Sequence, residues 1–319
     1  MKKSNIVVSP GKAKNKIISF CTSAFRILIL TAIGYLVIFP LLYIITNAIK
    51  TEEAIKNPLV VWFSTSMTLD NFKYALKAID FKNSILNTVL FEVVSSLFEV
   101  VSCAFAAYGL SRFNFKGKKI LMVLLILMIV IPEQMIVLSS TVNYSHFSFL
   151  GVVPLVNRLL GTHINVNLLN TVLPFWLPSL FGVGLKSGIL IYIYMQFFKG
   201  LPKELEEAAW IDGAGPYRTF FSIAVPSSSV VIFTVFIFSI IWHWNDYSYA
   251  VMYLTGKFTT AVKLADISQG LTLLGVWGSP RANAIILAAC LLFIAPMLIM
   301  YIFVQKQFIK SIDRVGITG

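Results

Sequence analysis

Two acidic side chains lie within one long apolar stretch of the chain. Glu92 and Glu99 are seven residues apart, so they share one face of a helix, and Ser95 lies near that face. Ionisable groups inside such stretches are usually functional and face protein or water. One interpretation is a polar wall that hydrogen-bonds the hydroxyl groups of a solute. The alternative is a pair of buried carboxylates that Lys186 or hydrogen bonds between helices satisfy.

A second polar pair, Asn245 and Asp246, closes a later apolar stretch. These side chains suit contact with a solute or with a docking protein. They suit equally well a role at the end of a helix, where side-chain oxygens and amides hydrogen-bond free backbone groups. Both interpretations stay open at this point.

The sequence contains none of the common enzyme motifs. There is no HExxH, no G-x-S-x-G and no Gly-rich loop that ends in Gly-Lys-Ser or Gly-Lys-Thr. The three histidines are scattered, and we expect His243 at an aromatic-rich interface beside Trp242 and Trp244. We therefore predict that this chain has no catalytic site and binds no metal or cofactor, and that it does not hydrolyse ATP.

Composition and apolar runs predict a membrane protein. Hydrophobic residues make up 57% of the 319-residue chain and charged residues only 13%. A helix needs about 20 apolar residues to cross a bilayer. Runs of this length predict an all-α, polytopic fold with six transmembrane helices, at about 27–49, 85–110, 120–142, 173–198, 230–254 and 284–304.

Basic residues predict the orientation of these spans. Most of the 26 Lys and Arg residues fall before the first span, between spans two and three, between spans four and five, or in the tail. Cytoplasmic loops carry such an excess, so we expect both termini and the segment between spans four and five in the cytoplasm. The net charge of +12 fits anionic lipid headgroups, and no basic helix with interleaved aromatic residues indicates nucleic acid.

The charged segment 204–226 separates the fourth and fifth apolar runs. Pro202 suits the first position of a helix, and Glu204 and Glu207 suit its first turns, where the helix dipole favours carboxylates. Gly213 can adopt the left-handed conformation that ends a helix. We predict a helix of about three turns whose small residues let another protein approach closely.

The same segment resembles the signature loop of ABC-importer permeases. The family pattern is E-A-A-x3-G-x9-I-x-L-P, and this chain departs from it only at Val225, which replaces Leu. The resemblance, with the charges around it, implies an ATPase-coupling surface formed by Glu204, Glu207, Ala208, Ala209, Asp212, Gly213, Ile223 and Pro226.

Other stretches resemble the maltose-type carbohydrate class of these permeases. They are Asn83-Ser84 with Thr88, Ala107-Tyr108 through Phe113, Pro132 with Gln134, Trp244-Asn245-Asp246-Tyr247, and Gln305 with Phe308. The resemblance covers about residues 82–319, and the outer stretch 141–170 looks longer than the class norm. It implies a permease that translocates an oligosaccharide or related carbohydrate across the bacterial cell membrane.

The resemblance also implies the partners. A second, homologous permease would form a heterodimer with this chain, two copies of a cytoplasmic ATPase would bind ATP-Mg, and an extracytoplasmic solute-binding protein would deliver the solute. We divide the chain into a basic cytoplasmic segment (1–26), a first span with its outer loop (27–82), the permease transmembrane domain (83–305) and a cytoplasmic tail (306–319).

Two alternatives remain at this stage. The solute could be a peptide, an amino acid or a polyol within the same architecture. The chain could also be a stand-alone secondary transporter that uses Glu92 and Glu99 as proton sites, although that reading leaves the signature loop unexplained.

Overall fold

The computed structural model describes residues 10–316 except residues 58, 61, 63, 65, 149 and 150, and the regular structure in this part is helical. A single-residue antiparallel bridge joins Lys50 to Met67 outside the helices. The predicted all-α class is confirmed. The first nine residues and the last three, which belong to the predicted cytoplasmic ends, lie outside the described residues.

The helices differ widely in length. Two short π-helical segments, named π1 and π2, lie between consecutive α-helices. In chain order they are α1 (Pro10–Ala48), α2 (Glu52–Lys56), α3 (Asp70–Ala78), α4 (Phe81–Thr88), π1 (Val89–Val93), α5 (Val94–Arg112), α6 (Lys118–Val130), α7 (Glu133–Ser145), α8 (Val152–Leu160), α9 (Leu173–Leu180), α10 (Ser187–Gly200), α11 (Glu204–Ile211), α12 (Pro216–Thr219), π2 (Phe220–Ala224), α13 (Val225–Ser227), α14 (Ser229–Trp244), α15 (Ser248–Tyr253), α16 (Thr260–Ala265), α17 (Ile267–Leu273) and α18 (Ala282–Gly316).

The chain divides into two compact units. The first extends to Lys73 and includes Gly278–Leu291; the second contains Tyr74–Trp277 and the chain from Leu292 onward. In the first unit, the fully buried amide of Asn71 donates to the backbone carbonyls of Ala48 and Lys50, at 2.8 and 2.9 Å.

The second unit is built around α5. This helix packs against α9, α10 and α14. Ala104 and Ala107 are buried on α5, and small residues of this kind let helix backbones approach closely. Near the end of α5, the ring of Tyr108 lies 5.5 Å from that of Phe198 and 5.0 Å from that of Phe220. These contacts fix the position of α5, on which the candidate site depends.

The third predicted span, 120–142, is not one straight helix. Helices α6 and α7 meet at an angle of 105°. Ile131 has the extended backbone (φ −73°, ψ 122°) that a following proline favours, because the ring of Pro132 clashes with a helical residue before it. The sequence prediction ran one span through Pro132 and missed the bend.

The fourth predicted span, 173–198, is also interrupted. Helix α9 ends at Leu180 and α10 begins at Ser187, and between them Gly182 and Lys186 have left-handed φ values of 67° and 57°. Lys186 therefore lies in the break between the two helices. Within the fifth predicted range, 230–254, α14 stops at Trp244 and α15 follows from Ser248.

Three helical stretches are long and apolar enough to cross a membrane within the described part of the chain. They are Ile18–Ala48, Phe81–Arg112 and Ala282–Gln305, and the number rises to five if each of two bent pairs counts as one span. The second bent pair joins Pro216–Ser227 to Ser229–Trp244 at 81°. The sequence predicted six spans. The number of unbroken helices is lower because several helices are interrupted at positions that average hydropathy does not reveal.

Candidate functional site

Three ionisable side chains from different helical segments meet in the core of the second unit. Glu92 comes from π1, Glu99 from α5 and His243 from α14. The Nδ1 atom of His243 lies 2.9 Å from Oε2 of Glu92, and its Nε2 atom lies 3.1 Å from Oε2 of Glu99. All three side chains are at least 95% buried. We call this group the Glu–His–Glu cluster.

The hydrogen count of the cluster limits its charge. Each nitrogen–oxygen contact needs one hydrogen, and a neutral imidazole carries a hydrogen on only one nitrogen. Either His243 is an imidazolium between two carboxylates, or it is neutral and one carboxyl group is protonated. With no further proton on the outer carboxyl oxygens, the cluster carries one net negative charge in both cases. Pairing of this kind is required because an isolated buried charge is very costly.

Glu99 is the most fully bonded member of the cluster. The hydroxyl groups of Ser187 and Ser239 donate to its two carboxylate oxygens, the latter at 3.0 Å. A Cβ added to Gly184 would lie 2.9 Å from Oε1 of Glu99, so the break between α9 and α10 lies directly against this carboxylate. Ser95 is also fully buried, and its hydroxyl donates to the backbone of Phe91.

A cavity of about 160 Å³ lies beside the cluster. Glu92 and His243 line it together with Asp246, whereas Ser95 and Glu99 are not among its lining residues. The second carboxylate oxygen of Glu92, Oε1, has no hydrogen-bond partner among the described residues. Of the two predicted glutamates, Glu92 is therefore the one beside open space.

Four aromatic rings form part of the remaining wall of this cavity. The ring of Tyr253 lies 5.3 to 5.5 Å from the rings of Tyr144, Tyr249 and Phe175. All four residues line the cavity. Apolar and aromatic walls with a few polar groups are typical of sites for small molecules.

The two residues of the second predicted pair, Asn245 and Asp246, have different surroundings in the structure. Asp246 is buried and accepts hydrogen bonds from the backbone amides of Tyr249 and Ala250, at 3.2 and 3.0 Å, so it caps α15 while it lines the cavity. Asn245 is exposed, and its side-chain amide donates to the carbonyl of Ile241 at the end of α14. The structure thus gives Asn245 the helix-end role and places Asp246 in the cavity wall.

A second, larger cavity of about 340 Å³ adjoins the first and shares Tyr249 with it. Glu133, Gln134 and Lys186 line it. The ammonium group of Lys186 lies 5.5 Å from the centre of the Trp242 ring, in a cation–π contact. Hydrogen bonds from other helices satisfy Glu99 and one oxygen of Glu92, so the structure shows the interhelical bonds of the sequence alternative and no contact of Lys186 with either carboxylate among those described.

The predicted coupling segment folds into a short helix with a tight end. Helix α11 contains eight residues, about two turns instead of the predicted three, and Pro202 lies before it rather than at its first position. Gly213 has the predicted left-handed backbone, with φ 78°. The amide of Ala214 bonds the carbonyl of Ala209 at 2.9 Å, which completes a Schellman-type helix end.

The two faces of this segment differ. Most of the predicted coupling residues are exposed, while Ala209 and Ile223 are half-buried. Ile223 and Pro226 lie in π2 and α13, in the helical stretch that leads into α14, rather than in a loop. Large apolar side chains are exposed beside the acidic ones, with Ile211 at 87% and Tyr217 at 77% exposure. Such a mixed patch is typical of a protein-binding surface.

The inner face of α11 is tied to α5 by a buried ion pair. The Nε atom of Arg112 lies 3.0 Å from Oε1 of Glu206, and both side chains are at least 95% buried. The contact is ionic and not an aligned hydrogen bond. The Nη2 atom of Arg112 also donates to the carbonyl of Leu201 at 2.8 Å.

Comparison with known proteins identifies the family. Residues 100–314 match the family described as binding-protein-dependent transport system inner membrane component. This chain belongs to that family. The permease protein AraQ of the arabinooligosaccharides transport system of Halalkalibacterium halodurans is 28% identical, over 90% of this chain and 93% of its own. The melibiose/raffinose/stachyose import permease protein MelC of Bacillus subtilis is 27% identical, over 88% and 91%.

A solved structure shares the fold of this permease. It is the crystal structure of a bacterial ABC transporter involved in the import of the acidic polysaccharide alginate, with a TM-score of 0.66 and 19% identity. The match covers 92% of this chain and 98% of that one. The resemblance to ABC-importer permeases that the signature loop indicated is confirmed.

Membership of this family defines the role of this chain among the subunits of the transporter. The family is the membrane-embedded permease component of ABC importers and carries the EAA motif, here at Glu207, Ala208 and Ala209. It is not the catalytic subunit, and ATP hydrolysis resides in a separate ATPase. A permease of this family works with a second permease, an ATPase and a solute-binding protein.

Sequence reasoning missed two members of these sites. His243 was expected at an aromatic interface, but it is 3% exposed and bridges two carboxylates. The signal available was that a third ionisable group inside the apolar runs needs a partner there. Glu206 was not singled out among its acidic neighbours, because nothing local distinguishes the one glutamate of α11 that points inward.

We expect Glu206→Ala to destabilise the permease by about 3 kcal/mol, because it leaves Arg112 buried without its partner. Glu204→Ala is the matched control on the same helix, and since Glu204 is exposed its effect should stay within about 0.5 kcal/mol. Thermal unfolding of the purified permease complex in detergent measures both. Equal stability of the two variants would show that the ion pair does not hold α11 to α5.

Proposed function

We propose that this permease imports an oligosaccharide or a related carbohydrate that a solute-binding protein delivers. The observation that carries the proposal is that the curated relatives, which match nearly the whole chain at 27–28% identity, are named for arabino-oligosaccharides and for melibiose, raffinose and stachyose. The cavity beside Glu92, with carboxyl groups and aromatic rings in its wall, supports it, because such walls suit polyhydroxylated solutes.

The proposed assembly is a heterodimer with a second, homologous permease and two copies of the ATPase. The ATPase copies bind ATP-Mg. The exposed face of α11, with Glu204, Glu207 and Asp212 beside Ile211, docks into one of them. Closure of the ATPases on ATP then moves α11, and the two permeases alternate between outward-open and inward-open states. The solute passes between them.

The proposed topology has six spans with both termini in the cytoplasm. Helix α1, the α4–π1–α5 stretch, the α6–α7 pair, α9 with α10, the stretch that ends with α14, and α18 would be the six. The charge bias supports this orientation. We keep the predicted divisions at 1–26, 27–82, 83–305 and 306–319, with α11 between the fourth and fifth spans.

The first test is the ligand of the partner binding protein. We expect titration calorimetry with the purified binding protein to show heat of binding with a neutral or acidic oligosaccharide. Peptides and amino acids should give none. Saturable binding of a peptide, an amino acid or a polyol, with no binding of any carbohydrate, would overturn the carbohydrate assignment and leave the permease assignment intact.

The topology has its own test in intact cells. In a chain with Cys21→Ala, which removes an exposed native thiol, a cysteine at Lys257 should react with a membrane-impermeant maleimide before lysis. A cysteine at Lys3 should react only after lysis. The reverse pattern would refute the proposed orientation.

Coupling depends on the helix end at Gly213. A β-branched residue there is strained by about 1–3 kcal/mol, since φ is 78°, although nothing lies within 4 Å of an added Cβ. We expect Gly213→Val to reduce ATP hydrolysis stimulated by loaded binding protein to roughly the basal rate. Gly215→Val is the matched control, because Gly215 has the same open space but φ −75°.

Membrane insertion and pairing with the sister permease should survive in both variants. A pull-down of the ATPase, measured beside hydrolysis, separates lost docking from lost signalling. Glu207→Lys should also weaken the pull-down, because it reverses the charge of an exposed carboxylate. Normal stimulation in Gly213→Val and Glu207→Lys alike would mean that α11 is not the coupling element.

A further inference from the structure

The cavity beside the Glu–His–Glu cluster has the size of one six-membered ring. Its volume is about 160 Å³. A protein cavity of about 150 Å³ is known to accept benzene, so this one is large enough for a single ring and too small for a chain of rings. Its polar wall distinguishes it from a simple packing defect, which would be apolar.

Two carboxyl groups meet at this wall. Oε1 of Glu92 receives no hydrogen bond from a donor among the described residues, although the side chain is 1% exposed, and the carboxyl group of Asp246 lies within interaction distance of Glu92. Neighbouring carboxyl oxygens without a donor are unfavourable in a buried site, so a donor from a bound molecule would stabilise them. A carboxylate only accepts hydrogen bonds, and a solute hydroxyl group donates them.

The charge of the wall selects among solutes. Its lining includes two carboxyl groups, those of Glu92 and Asp246, and the imidazole of His243. None of the described residues that line this cavity is Lys or Arg. Lys186 lines the adjoining cavity, and the acidic side chain of Glu133 lines that cavity too. An anionic ring would therefore meet like charge here and no basic partner.

We propose that this cavity is a subsite for one ring of a neutral, polyhydroxylated solute, that Glu92 accepts a hydroxyl hydrogen of that ring, and that the carboxyl groups exclude rings that carry a carboxylate. The proposal rests on the proposed import of a carbohydrate. It also narrows that function, because a solved structure with the same fold belongs to a transporter involved in the import of an acidic polysaccharide.

The aromatic residues give the subsite its second contact. Tyr144, Tyr249 and Tyr253 come from α7 and α15 and lie edge to face or tilted against one another. Aromatic faces pack against the C–H groups of a sugar ring, while the carboxyl groups of the wall receive its hydroxyl groups. A single sugar ring can thus contact the aromatic residues with its C–H groups and the carboxyl groups with its hydroxyl groups.

The two glutamates of the cluster provide a matched pair of variants. Glu92 and Glu99 are both buried and both contact His243, but only Glu92 lines the cavity. If the cluster served only to hold the helices together, Glu92→Gln and Glu99→Gln would act alike. If the cavity binds a solute, only Glu92→Gln changes the preference between neutral and anionic rings.

The experiment uses the assembled transporter in nanodiscs without its binding protein. Saturation-transfer NMR measures binding of the methyl glycosides of glucose, galactose and arabinose, and of the glycosiduronates of the first two. We expect at least one neutral glycoside to bind and its glycosiduronate to bind at least about tenfold more weakly. Glu92→Leu should weaken neutral binding about tenfold or more, the range of a hydrogen bond to a charged group.

Glu92→Gln keeps a hydrogen-bond acceptor, so its affinity for neutral glycosides should lie within a few-fold of that of the natural chain. Because it removes a carboxyl group, it should also reduce the ratio of the affinities for neutral glycosides and glycosiduronates. Glu99→Gln should leave that affinity ratio unchanged. Equal effects of Glu92→Gln and Glu99→Gln, equal binding of both glycoside types, or no binding of any neutral glycoside would each overturn the subsite. Calorimetry on the binding protein, which does not involve this cavity, shows separately whether carbohydrate import itself fails.

Discussion

The structure of the second unit depends on the cost of placing the Glu99 carboxylate in an apolar core. This side chain is fully buried and receives hydrogen bonds from Ser187 on α10 and from Ser239 and His243 on α14. Removing any one donor would leave part of a buried charge uncompensated, which is strongly unfavourable. The requirement therefore fixes the position and rotation of three helices relative to one another. Apolar packing alone would leave sliding motions of these helices nearly free in lipid, where no hydrophobic force opposes them.

Close approach of the backbones makes this bonding possible. Ala104 and Ala107 lie on α5, and Gly188 begins the contact between α10 and α6, where an added Cβ would come within 3.1 Å of Met128 and Ile129. The break between α9 and α10 serves the same end. Backbone without helical hydrogen bonds is tolerated at membrane depth only where protein or water surrounds it, and here it lies against Glu99. The backbone between α9 and α10 thus lies beside the buried carboxylate.

The sequence predicted those features that local chemistry determines. Long apolar runs identified the helical membrane fold, and fixed spacing around Gly213 identified the coupling segment and its left-handed helix end. Features set by contacts between distant residues were not accessible. His243 is separated from Glu92 by 151 residues along the chain, and nothing in its neighbourhood marks it as a partner. The bend at Pro132 and the inward direction of Glu206 likewise depend on what packs around them.

Helix α5 carries contacts of both sites on one rigid element. Arg112, at its end, holds α11, and Glu99, further along the same helix, holds α10 and α14. At about 1.5 Å per residue, the two positions lie about 20 Å apart along the axis. An uninterrupted α-helix of this length is stiff against compression, so it acts as a strut. A push on α11 that preserves the Arg112–Glu206 pair is therefore transmitted along α5 and strains the hydrogen bonds of Glu99.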